Sequence, residues 1–127
     1  YNIFMDGKIS RSLILLTYKG KALLMNKSNN SIDKEKHPWC FIGGVKGETE
    51  SFESAMKRRV EIEAGIEIKD VELVSESCYH ARLTDDDVNR IKREENQLLD
   101  FFTLKDLKKL FLSNTTAQFV SKHSELI

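Results

Sequence analysis

The sequence predicts an α/β sandwich built on a mixed sheet. Three observations carry this reading: several apolar runs of strand length, one amphipathic helix set among them, and an element order of strands, helix, strands, helices. The regular βαβ alternation of a doubly wound sheet is absent.

Taken in order, Ser12 to Thr17 is a short apolar run of strand length. Tyr18-Lys-Gly-Lys21 is a turn signal, and Ala22 to Met25 reads as the returning strand of a hairpin. Asn26 to Lys36 is polar and is expected to form an exposed loop. Pro38 favours an extended entry into Trp39 to Ile42, a third strand, and Gly43-Gly44 is expected to break the pattern. A helix follows. Ser51 is its N-cap, the acidic Glu48, Glu50 and Glu53 suit the positive end of its dipole, and Gly65 is its stop. Phe52, Ala55, Met56 and Val60 form an apolar stripe at helical spacing. Val71 to Ala81 reads as one long strand, Thr84 starts a helix reaching about Glu94, and Leu98 to Leu104 is another strand. Lys105 to Phe111 and Thr115 to His123 read as closing helices.

The 127 residues suit one domain, 1–127, with a hydrophobic core of its own. With 20 basic and 20 acidic residues the formal net charge is zero, so there is no strong nucleic-acid signal. No apolar run is long enough to span a bilayer. Cys40 and Cys78 read as reduced thiols of a cytoplasmic protein. The chain opens on Tyr1 rather than Met, which leaves room for a start residue or short leader upstream.

The chemically informative segment runs from Gly44 to Ile66. Gly44, Glu50, Arg58, Val60, Glu63, Gly65 and Ile66 stand in the register of the Nudix box, and the approach Trp39-Cys-Phe-Ile-Gly-Gly44 is similar to the aromatic-rich lead-in of that family. The segment therefore resembles a Nudix hydrolase, although Arg59 stands where the family has a glutamate and Ile62 replaces the first of its paired glutamates. The resemblance implies a Nudix-like α/β/α sandwich with a mixed β-sheet. It implies a nucleoside diphosphate-linked substrate, cleavage at a pyrophosphate bond, and dependence on Mg2+ or Mn2+. Family carboxylates line one helix face and hold the cation against the pyrophosphate, and residues three or four apart do share a face.

On this chain the implied ligands are Glu63, a backbone carbonyl at Gly43 or Gly44, and a glutamate on a later loop, Glu95, with Glu94 as fallback. Glu63 and Glu95 are the implied catalytic residues. Glu50 and Arg58 are expected to orient the loop and helix as an ion pair, and Gly44 and Gly65 to serve as a tight turn and a helix end. No general base is named by the pattern; Glu61 or Glu94 would have to substitute. The resemblance also allows a homodimer.

Helix geometry raises the same point unaided. At about 100° per residue, Arg59 and Glu63 fall in the middle of the Phe52–Ala55–Met56 stripe, where charges must pair or line a cavity. Two readings stand: a structural Arg59–Glu63 ion pair closing the site, or a guanidinium that binds substrate phosphate directly. Ile62 flanks this face and is expected to pack. His37, His80 and His123 show no metal-ligand spacing, and His80 is expected to be a surface or satisfied histidine. Trp39, Phe41 and Tyr79 read as core, Cys40 as packing, and Lys105 to Lys109 as a solvated face. Lys92-Arg93 is a weak local basic patch.

Three functions follow. The first is a Nudix-type hydrolase slowed by the loss of two box glutamates. The second is an inactive Nudix-like domain that binds a nucleotide, a metabolite or a protein partner. The third is a purely structural module with a closed pocket.

Overall fold

The computed structural model describes residues 11–26, 36–92 and 98–127. Its strands are β1 (Arg11–Tyr18), β2 (Lys21–Asn26), β3 (Trp39–Cys40), β4 (Ile42–Val45), β5 (Glu72–Ser75), β6 (Cys78–Arg82) and β7 (Leu98–Thr103). Its α-helices are α1 (Phe52–Ala64), α2 (Asp85–Arg90), α3 (Leu104–Leu107) and α4 (Asn114–His123), followed by a 3-10 turn at Ser124–Leu126. Of the expected exposed loop Asn26 to Lys36, residues 27–35 lie outside the described residues, as do Arg93, Glu94 and Glu95, and Asn26 is instead the buried last residue of β2.

All seven strands join one mixed sheet in which β1 and β6 run parallel and every other pair runs antiparallel. The β1–β2 hairpin turns through Lys19 and Gly20, both with positive φ (49° and 78°), as two-residue hairpin turns require. Residues alternate across the sheet. Ile14 and Leu16 of β1 join Ala55, Met56, Val60 and Ala64 of α1 in one core. Leu15 points the other way and joins Trp39, Phe41, Leu107 and Phe119 in a second core beneath α3 and α4. Helices thus cover both faces, giving the α/β/α sandwich with a mixed sheet that the sequence predicts.

Trp39 to Val45 holds the two halves together. Trp39 and Cys40 pair with β2, whereas Ile42 to Val45 pair with β1. Phe41 sits at the changeover, where its backbone N–H leaves the ladder and donates to Thr116 Oγ1 on α4 at 3.0 Å. Its fully buried ring meets Phe119 edge-on, with centroids 5.2 Å apart. Gly43 and Gly44 do not break this strand, as expected from sequence, but lie inside β4. A side chain at 43 would collide with Leu13 Cδ2 and the Ser12 carbonyl, each 2.6 Å away, so glycine here permits close packing.

Helix α1 begins and ends where local chemistry dictates. Ser51 Oγ accepts from the Ser54 N–H at 3.1 Å, and Gly65, at φ 73°, donates its N–H to the Glu61 carbonyl at 2.9 Å.

Three other expectations are corrected. Val71 to Ala81 is two antiparallel strands, because Glu76 and Ser77 form a turn with Ser77 at φ 60°, and the Ser77 carbonyl accepts from Leu13 N–H at 3.0 Å. Helix α2 stops at Arg90, and the Lys92 N–H turns instead to the Ala64 carbonyl at 2.8 Å. Helix α3 covers only Leu104–Leu107, not Lys105 to Phe111. Trp39 donates to the Phe111 carbonyl at 2.8 Å and accepts from Ser113 N–H at 3.0 Å, which draws 111–113 out beside β3. No helix among the described residues is long and apolar enough to cross a membrane.

Candidate functional site

Loop 46–51 delivers the chain from β4 to α1, and one carboxylate organises it. Arg58 donates twice to Glu50, through Nε to Oε2 at 3.0 Å and through Nη2 to Oε1 at 3.1 Å. The Gly47 N–H also donates to Glu50 Oε1 at 3.0 Å, and Arg58 Nη2 reaches the Val45 carbonyl at 3.2 Å. The Arg58 hydrogen bonds, then the Gly47 N–H, hold the Glu50 carboxyl below the usual carboxylate range. Loop, strand end and helix are thereby fixed to one another by a forked, charge-assisted pair.

The next residue of α1 carries the second pair. Arg59 Nη2 donates to Glu63 Oε1 at 2.8 Å. The stem of Arg59 lies flat on β4: a side chain at Gly44 would come within 3.0 Å of its Cγ and Cδ. Glycine at 44 is therefore the seat for this arginine. Arg59 Nε and Ser12 Oγ are both buried with no hydrogen-bond partner. Ser12 is the β1 residue paired with Gly44, so both groups belong to the same patch of sheet and helix.

This patch is open on one side. Ala55 and Ile62 lie two turns apart on nearly the same side of α1, at about 100° per residue. Ala55 is 0% exposed, whereas Ile62 is 55% exposed. The cover over that side ends between them, which overturns the expectation that Ile62 packs. Arg59, with its side chain 30% exposed, and Glu63, at 11%, line this margin.

Among the described residues, the side chains do not assemble a donor set for the expected Mg2+ or Mn2+. Magnesium asks for near-octahedral oxygen ligation. Among the described residues no group of three or more His, Cys, Asp or Glu side chains converges. Glu63 already carries a guanidinium, Gly43 lies within β4 paired with Leu13, and Glu95 with its fallback Glu94 lies outside the described residues. Glu61 is exposed on α1.

The histidines stand elsewhere. His37 is exposed. His123 Nε2 lies 3.2 Å from Ser75 Oγ. His80 is 4% exposed, with Nε2 2.8 Å from Thr17 Oγ1 and Nδ1 3.9 Å from the exposed Glu72 carboxylate. It is a satisfied core histidine. Burial pushes its pKa below the ordinary value of 6.5, against an opposing pull from Glu72. The unfolded chain therefore binds more protons than the native one at mildly acidic pH, so stability is full above 6.5 and falls as pH drops towards the native-state value. The urea midpoint is expected to decline between neutral and mildly acid pH, and His80→Gln to remove part of that decline. Identical slopes for the two proteins would contradict this.

Cys40 and Cys78 are half-buried. Trp39, Phe41 and Tyr79 are buried in the cores, as expected. Two concavities, an apolar groove along α4 and a polar cleft by β5 and β6, are lined by neither Arg59 nor Glu63. Sequence reasoning missed Ser12 and Thr116. A polar residue opening an apolar run was the one signal for Ser12; nothing local marks Thr116 as the partner of Phe41.

The family model for the NUDIX domain matches residues 8–122. A search of curated proteins returned no match. Among solved structures, the chain is similar to a NUDIX-family hydrolase from Clostridium perfringens (17% identity, TM-score 0.66, covering 92% of this chain and 96% of that one). It is similar to a mutT/nudix family protein from Listeria innocua (18%, 0.68, 91% and 91%). It is also similar to the NUDIX domain of Shewanella oneidensis NrtR, solved in complex with ADP ribose (17%, 0.67, 91% and 85%). Identities this low speak for the fold.

Proposed function

The chain belongs to the Nudix family, and from that premise we propose that it binds a nucleoside diphosphate-linked small molecule and hydrolyses its pyrophosphate bond only slowly. The ligand class is supported by the family and by the similar domain that was solved with ADP ribose. The slowness rests on one observation: the helix face that should carry a carboxylate cluster carries the Arg59–Glu63 ion pair and the exposed Ile62. No positioned base stands there among the described residues, and losing such a base costs roughly 10²–10⁴-fold in rate. A cytoplasmic setting accords with a chain whose two cysteines, Cys40 and Cys78, lie far apart in sequence and read as reduced.

A second reading, binding without turnover, is favoured by the same 2.8 Å pair, which takes up Glu63, the box glutamate implied as a metal ligand. The test is turnover of ADP-ribose, nucleoside triphosphates and dinucleoside polyphosphates, each with Mg2+, with Mn2+ and with EDTA. The slow-hydrolase reading expects rates below about 0.1 per second, some 10²-fold under a typical enzyme. Rates near or above about 10 per second on any of these substrates would overturn it. No release at all would leave the binding domain.

A further inference from the structure

We infer that the Arg59 guanidinium is itself the counter-charge for the ligand's diphosphate, so that this domain binds its ligand without a divalent cation. The inference rests on the nucleoside-diphosphate reading above and adds the chemistry of recognition. Family members place a cation at this helix face. Here a fixed positive charge stands in the same segment, seated on Gly44 and rooted in α1.

Its donors are only partly used. Nη2 serves Glu63 at 2.8 Å, while Nε is buried with no partner. A charged group with an idle buried donor is held in a pose that a better acceptor can improve. Two oxygens of a phosphate are that acceptor. The Nε–Nη2 edge offers two parallel N–H bonds, which match phosphate geometry bidentately. A modest swing off Glu63 towards the uncovered margin at Ile62 would expose this edge and satisfy both donors. Ser12 Oγ, the second buried polar atom without a partner, lies on the strand position opposite Gly44, so the patch holds a hydroxyl as well as the guanidinium.

Glu63 then competes with the ligand for Arg59. This reverses the sign of a standard substitution. A carboxylate that held a cation would, on Glu63→Gln, lose ligand affinity. A carboxylate that competes with the ligand for Arg59 would, on the same change, loosen its hold on the guanidinium and tighten binding.

The test is calorimetric titration of ADP-ribose and of inorganic pyrophosphate into the purified protein, in EDTA and in Mg2+. Wild-type affinity in EDTA is expected within about threefold of that in Mg2+, Glu63→Gln to bind about tenfold tighter, and Arg59→Ala about tenfold weaker or worse. Should Arg59→Ala fail to fold, Glu63→Gln still decides by the sign of its effect. Binding that requires the cation, or weaker binding by Glu63→Gln, overturns the inference and leaves the nucleoside-diphosphate reading standing. Absence of binding by every protein in both buffers removes that reading, and the inference with it.

Discussion

Replacing Arg59 and Ile62 together by glutamate is expected to raise Mg2+-dependent turnover by about 10²-fold or more over the unmodified chain. The backbone for such a gain is in place. Glu50 and Arg58 already lock the loop to the helix, and Gly44 and Gly65 already shape its two ends. What the helix face lacks is carboxylate. Positions 59, 62 and 63 share the open margin of α1, so the double variant would set three acidic groups where one now stands paired with a guanidinium. Three carboxylates with no counter-charge repel, so the variant should also melt lower in EDTA than in Mg2+. Steady-state rates on ADP-ribose and nucleoside triphosphates check the first effect, and thermal melts with and without Mg2+ check the second. A folded double variant no faster than wild type would mean that something besides these two side chains has been lost.

The largest effect on stability is expected at Phe41. Its ring is fully buried in the core beneath α3 and α4, edge-on to Phe119, and its backbone N–H is tied to Thr116. Truncation to alanine removes apolar burial and leaves a cavity at the joint where one chain segment changes partner from β2 to β1. Such Phe→Ala changes cost about 3–5 kcal/mol. For a chain of this length that is a fall of roughly 10–20 °C in Tm. Phe111→Ala serves as the comparison, because that ring is exposed and its loss should stay within about 0.5 kcal/mol. Urea melts of the two variants separate these cases: a Phe41→Ala loss no larger than that of Phe111→Ala would show that the joint contributes little.

How much of this was legible beforehand depends on sequence distance. Ser51 and Gly65 bound α1 through contacts with residues three or four away, and both can be read from local chemistry. The Arg59–Glu63 pair is visible for the same reason, being one helical turn apart. The ligation of Phe41 by Thr116 and of His80 by Thr17 spans 75 and 63 residues, and no periodicity announces either. Long-range contacts also explain the misread elements. Gly43-Gly44 look like a break until Leu13 and Arg59 are seen pressing against them. The run from Val71 to Ala81 looks like one strand until the Ser77 carbonyl is seen bound to β1. The segment after Leu107 looks helical until Trp39 claims the backbone of 111 and 113. Ile62 shows the limit of angular reasoning: its direction on the helix is close to that of Ala55, but cover depends on position along the axis.

Membership in a hydrolase family and possession of its chemistry are separate properties. The fold here is the family's, and the helix face is not.

Titration of Mn2+ into the unmodified protein, followed by the electron paramagnetic resonance of free Mn2+, tests that distinction most directly. With Arg59 paired to Glu63, the unmodified chain is expected to show no saturable cation site in the absence of ligand, while the Arg59→Glu, Ile62→Glu variant acquires one. A stoichiometric, saturable Mn2+ site on the unmodified chain that disappears on Glu63→Gln would contradict it, and would mean that the cation displaces Arg59 and that the site works as a metal centre.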